Sequence, residues 1–108
     1  MAIQLEDGEI LLKEGPANHF KGMEAVGGKL HLTNRRLLFQ SHSFNVQTHE
    51  ETYLLADIAS VRTRNTLGIV PNGIGVMLNN NHEERFVVNG RQEWIQKILW
   101  AKANNAQQ

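Results

Sequence analysis

Short apolar runs separated by turn residues and polar stretches fill most of this chain, and only near its end does the apolar spacing become that of a helix. The clearest stretch is GGKLHLTNRRLLF, Gly27 to Phe39. With Thr33 to Arg36 as the reversal, Leu32 faces Leu37 and Leu30 faces Phe39, and all four lie on one side of the ribbon. A two-residue type I′ loop would force Arg35 to positive φ at about 1–2 kcal/mol, so a four-residue type I turn with the same pairing is expected. Lys29, His31 and Thr33 are then expected to point outward. Arg35 and Arg36 crown the turn, where their first role is solubility.

Upstream, Glu9 to Glu14 reads as a short strand stopped by Gly15-Pro16, because proline removes an amide donor. The segment ANHFKGMEAVGG, with Phe20, Met23 and Val26, reads as a weak strand or an irregular piece. Downstream, SHSFNVQTHEE is a loop. A strand over Thr52 to Leu55, a bend at Ala56-Asp57 and a strand from Ile58 to Thr63 follow. Pro71-Asn72-Gly73 is a turn signal, proline presetting φ and glycine accepting the left-handed region. Around it, half of Leu67, Ile69, Val70 and Ile74 face inward if the strands run to the tip, whereas Ile69 and Val70 form an apolar finger if the tip projects. Val76 to Leu78 and Arg85 to Val88 flank a hairpin turn at Asn79 to His82.

The helical pattern comes last. Asn89 is the expected N-cap with Gln92 completing a capping box, and Trp94, Ile95, Ile98, Leu99 and Ala101 recur at helical spacing. Trp94, Ile95, Ile98 and Ala101 share one stripe, with Trp94 its anchor; Trp100 falls off it and either rests on a loop or meets a partner. The order predicts a mostly β fold: about seven antiparallel strands in a strongly curved sheet closed by one C-terminal helix. It reads as one domain spanning 1–108, with 1–6 and 104–108 expected to fray.

Composition narrows the chemistry. At 41% hydrophobic and 20% charged residues the chain belongs with globular proteins. It has no cysteine, which excludes disulfides, thiolate zinc sites and thiol catalysis. Eleven Lys plus Arg balance eleven Asp plus Glu, so no chain-wide field draws it to nucleic acid, and any anion binding must be local. The opening MAIQLEDGE lacks the basic start and apolar run of a secretory signal, and no apolar run approaches membrane-spanning length; a cytoplasmic protein, peripheral to a membrane at most, is expected.

Glu51 and Asp57 are the carboxylates nearest apolar neighbours, but neither has a second group beside it in the sequence as acid–base catalysis requires, and Asp57 reads as capping its bend. No G-x-S-x-G occurs, and the glycines of LGIVPNGIG lack the Lys and strand-to-helix setting of a phosphate loop. The chain reads as a non-enzyme without a cofactor. Its histidines, His19, His31, His42, His49 and His82, show neither H-x₃-H nor H-E-x-x-H spacing, so no metal ligand is assigned; Asn18, His19, Asn45 and His49 are expected to tie down loops by hydrogen bonds.

The run Gly28-Lys29-Leu30-x-Leu32-Thr33-Asn34-x-Arg36-Leu37-Leu38-Phe39, then LLADIASV, then VVNGRQEWIQKI with Arg91, Glu93 and Trp94 at the head of the helix, resembles a GRAM domain of the pleckstrin-homology (PH) type, in its bacterial single-domain form, over nearly the whole chain. The resemblance implies a seven-stranded bent barrel plugged by a helix, no catalytic machinery, and binding of phosphoinositide-type lipid or protein. In PH domains headgroup binding usually rests on a Lys in the first hairpin and a basic pair on the next strand; here Lys21, Lys29 and His31 stand nearest those positions, and the His leaves the set one cation short near neutral pH.

Two roles follow. The first is a protein-interaction or self-association module, with Ile69, Val70, Pro71 and Trp100 as contacts. The alternative is a peripheral module for anionic lipid through Lys21, Lys29, His31, Arg35 and Arg36, with Arg62 and Arg64 adding to weak attraction toward anionic surfaces.

Overall fold

The computed structural model describes residues 3–42 and 50–105. The strands are β1 (Leu11–Lys21), β2 (Glu24–Thr33), β3 (Arg36–Ser41), β4 (Glu50–Leu54), β5 (Ile58–Thr66), β6 (Val70–Leu78) and β7 (Glu83–Val88), followed by the helix α1 (Arg91–Asn105). They form one seven-stranded sheet in the order β4-β3-β2-β1-β7-β6-β5, antiparallel at every pairing. The sheet curls into a half-barrel with α1 packed on β5, β6, β7 and the 3-10 turn at Leu55–Asp57.

The β2–β3 register is the expected one, Leu30 opposite Phe39 and Leu32 opposite Leu37, and Arg35 keeps negative φ. These four are fully buried with Leu55, Ile58, Ile74, Phe86 and Ile98, and Trp94 closes over them. Trp94, Ile98 and Ala101 are the buried stripe of α1, with Ile95 partly buried beside them. Glycine is required at Gly28: a Cβ there would sit 2.1 Å from the Gln40 carbonyl oxygen and 2.8 Å from the Phe39 ring.

Several expectations are corrected. Gly15-Pro16 does not end the first strand, because β7 pairs with β1 only at Ala17, Asn18 and His19; at Pro16 the ladder on that side has already stopped. The segment after it therefore belongs to a long β1–β2 hairpin turning at Gly22-Met23, with Gly22 at φ 63°. Pro71-Asn72-Gly73 is not a turn but the start of β6. A bulge between Arg64 and Thr66 leaves Pro71 and Asn72 out of the β5 ladder, and pairing with β7 begins only at Gly73. The reversal falls earlier, with Leu67 and Gly68 at φ 54° and 75°.

The helix cap shifts by one residue: Gly90, not Asn89, offers the first intrahelical carbonyl, to Trp94 N–H at 3.2 Å. His31 and Thr33 do not point into water, since both are fully buried. The loop expected from Ser41 onward lies mostly outside the described residues, as do Asn45 and His49.

Candidate binding surfaces

The cations of the lipid reading lie along the hairpin rather than around one hollow. Lys29 pairs with Pro16 and Lys21 stands five residues further along β1, a separation of about 17 Å at strand rise, while Arg35 and Arg36 lie beyond the opposite end of β2. Each also faces a carboxylate: Lys21 Nζ with Glu51 at 3.2 Å, Lys29 Nζ with Glu14 at 3.8 Å, Arg35 with Glu6 at 3.7 Å.

Arg36 is the most committed of them. Its Nε donates to Glu9 Oε2 at 2.8 Å, and the same carboxylate accepts the Thr33 hydroxyl at 2.6 Å. Thr33 in turn accepts the N–H groups of Arg35 and Arg36, so the turn is latched by an N-terminal segment folded across it. The Arg36 bond holds the buried Glu9 carboxyl at a pKa of about 2, well under its usual 4.5. His31 Nδ1 lies 3.2 Å from Glu14, and burial pushes its pKa down, so it does not supply the missing cation.

Positive charge gathers elsewhere. On the outer face of β5–β7 the Glu83 carboxylate lies over Gly75 and meets Arg64 at 2.8 Å, Arg85 at 3.3 Å and Arg62 at 3.9 Å, three guanidiniums against one carboxylate. The pairs Arg62–Gly75 and Gly75–Arg85 set this row. The sequence showed Arg62 and Arg64; Arg85 joins them only through the β6–β7 pairing. Arg64 and Arg85 also line a cleft of about 400 Å³ with Phe20, Met23 and Leu67.

The apolar contacts separate into two places. The β5–β6 tip projects, leaving Leu67, Ile69 and Val70 exposed, with Pro71 beside them. Trp100 is 59% exposed on α1 and stands between two grooves, of about 350 Å³ with Ile10, Leu12 and Asn34 and about 420 Å³ with Leu12, Gln96 and Lys97. None of Ile69, Val70 or Pro71 lines either groove. Ile10 and Leu12 were invisible as partners of Trp100 in the sequence, because only the fold lays the start of β1 beside the end of α1.

Asp57 works at its bend through its backbone, its carbonyl accepting Asn79 N–H at 2.9 Å. Among the described residues no helix is long and apolar enough to cross a membrane.

No curated protein matches the sequence significantly. Among solved structures the chain is similar to the C-terminal domain of an unknown protein from Leishmania infantum, with a TM-score of 0.77, 18% identity, and 90% of this chain and 87% of that one covered. It is similar also to the Vps36 N-terminal PH domain, with a TM-score of 0.76 and 14% identity over 97% and 87% of the two chains. A third likeness is to the linker-DH/PH domains of p115-RhoGEF, with a TM-score of 0.69 and 16% identity over 89% of this chain and 30% of that one. At these identities the likeness is one of fold, a PH-like half-barrel. The GRAM domain model matches residues 2–106, and the chain therefore belongs to the GRAM domain family.

Proposed function

We propose that this GRAM domain is a non-catalytic module that binds protein through the Trp100 face of α1, and that the occupant fitting this face is a second copy of the chain. The observation that carries the reading is an exposed indole beside two grooves that share the partly buried Leu12, one of them also lined by the exposed Ile10. A knob next to a hole is self-complementary across a two-fold axis, and tryptophan is the residue most enriched at interface hot spots. Sedimentation velocity over a concentration series tests it: the wild type should dimerise and Trp100→Arg should remain monomeric while melting at the same temperature. A wild type that stays monomeric at high concentration overturns the self-association reading.

A second reading, peripheral attachment to anionic lipid, is favoured by the Arg62, Arg64 and Arg85 cluster, where three guanidiniums share one carboxylate, more than by Lys21, Lys29, Arg35 and Arg36, each of which faces a carboxylate, or by His31, which burial keeps from supplying a cation. Sedimentation with phosphatidylserine vesicles should then show binding that falls with salt and with Arg62→Gln/Arg85→Gln. Vesicle binding that is absent or indifferent to salt removes it. Either role fits a cytoplasmic protein.

A further inference from the structure

The interior holds a polar cluster that neither role uses. His19 on β1 is fully buried, its ring stacked on Phe86 at 4.6 Å and tilted against Phe39 at 5.3 Å. Glu84 on β7 brings Oε1 to 2.6 Å from its Nε2, and Glu51 on β4 brings Oε2 to 3.0 Å from its Nδ1. One ligand atom from each of the three lies within 4.8 Å of the others.

We propose that His19, Glu51 and Glu84 bind a divalent transition ion, zinc by preference, inside the half-barrel. Zinc takes imidazole nitrogen and carboxylate oxygen at about 2.0–2.2 Å, so ligands of one ion lie at most about 4.4 Å apart; one ion takes one imidazole nitrogen, so it would enter between Nε2 and Glu84, with Glu51 turning toward it from its place at Nδ1. The two carboxylates carry two negative charges into a core lined by Phe39 and Phe86. Their outer oxygens meet Lys21 and His82, and a divalent cation would take the inner ones, Glu51 Oε2 and Glu84 Oε1. The two aromatic rings fix the imidazole before any ion arrives, which removes the entropy loss of ordering it.

A second observation points to the same place. Tyr53 Oη is buried and has no hydrogen-bond partner among the described residues. Its ring meets edge-on, with centroids 6.3 Å apart, the same Phe86 ring on which His19 is stacked. Three protein ligands leave zinc a fourth position, and a water there would give the hydroxyl its partner. The cluster lies one side chain from the surface on two sides: Lys21, 46% exposed, holds the other oxygen of Glu51, and His82, 64% exposed, holds the other oxygen of Glu84 at 2.6 Å.

The test uses the whole chain, stripped with chelator and titrated with zinc chloride by calorimetry, with cobalt chloride as the spectroscopic probe. Zinc at a hundredfold excess over Kd should raise Tm by about 10 °C, and cobalt should give visible d–d bands in one-to-one stoichiometry. Glu84→Gln and Glu51→Gln should each weaken binding at least about tenfold, while His42→Gln leaves it unchanged. His19→Gln should abolish the cobalt bands, and the two Glu variants serve if that protein fails to fold. Absent bands with an unmoved Tm overturn the proposal. So does binding that survives Glu84→Gln and Glu51→Gln, which assigns the ion to surface histidines instead.

Discussion

Around Gly15, where Trp94 packs, the half-barrel is filled by Leu30, Leu32, Leu37, Ile58 and Ile98, none of them reaching water. Four residues further along β1, around His19, the same interior holds two carboxylates, an imidazole and a phenol between two phenylalanine rings. The difference separates two jobs within one curled sheet. Apolar burial stabilises without direction, at about 25 cal/mol per Å² removed from water. Buried ionic groups roughly break even on stability and hold three strands, β1, β4 and β7, in one fixed arrangement. The plugged end makes the domain stable, and the polar end gives it chemistry.

The sharpest way to break that division is Trp94→Ala, which should cost about 3–5 kcal/mol by urea unfolding, since the indole is 2% exposed and caps the leucine layer. A loss under about 1 kcal/mol would mean that α1 adds little to the core and that the polar end carries more of the fold than its chemistry suggests.

Much of the plugged end was legible beforehand. The register of Leu30, Leu32, Leu37 and Phe39 follows from period-two spacing and one turn, and the Trp94 stripe from helical spacing, both of them local signals. The polar end was not. His19, Glu51 and Glu84 stand 32 and 33 positions apart in sequence, and only a sheet order that wraps β4 and β7 toward β1 brings them together. Pro16 and Pro71 misled for a related reason: proline breaks a strand only where a neighbour needs its N–H, and which neighbours exist is a property of the whole sheet. His31 and Thr33 alternate outward as expected, but Glu14 and the N-terminal Glu9 fold against them, so outward did not mean exposed.

The latch at the β2–β3 turn gives the next largest effect. Glu9 titrates near 2 when folded against its usual 4.5, so its contribution is complete above pH 4.5 and disappears as pH falls toward 2. Glu9→Gln should lose about 2–3 kcal/mol at pH 7 and flatten the acid limb of the stability curve. An unchanged acid limb would show that the N-terminal segment does not hold Arg36 and Thr33 in solution.

Glu84→Gln, measured without metal, should cost about 1 kcal/mol, because the amide still offers His19 an acceptor and Glu51 keeps its charge. If it destabilises as much as Trp94→Ala, the two ends are equally structural and the division of labour fails.

The smallest effect tests the surface against the interior. Leu67 is 89% exposed and sits at φ 54°, a region in which a branched apolar side chain is strained and asparagine is at home. Leu67→Asn should therefore leave stability within about 0.5 kcal/mol of the wild type, with any change toward greater stability. The β5–β6 tip lies outside both materials compared above, packed into neither the leucine layer nor the His19 cluster. Thermal unfolding of this variant checks that placement: a loss above about 1 kcal/mol would require the Leu67 side chain to be buried against Phe20 and Met23 across the cleft they line together, which would extend the apolar core onto the outer face of the sheet.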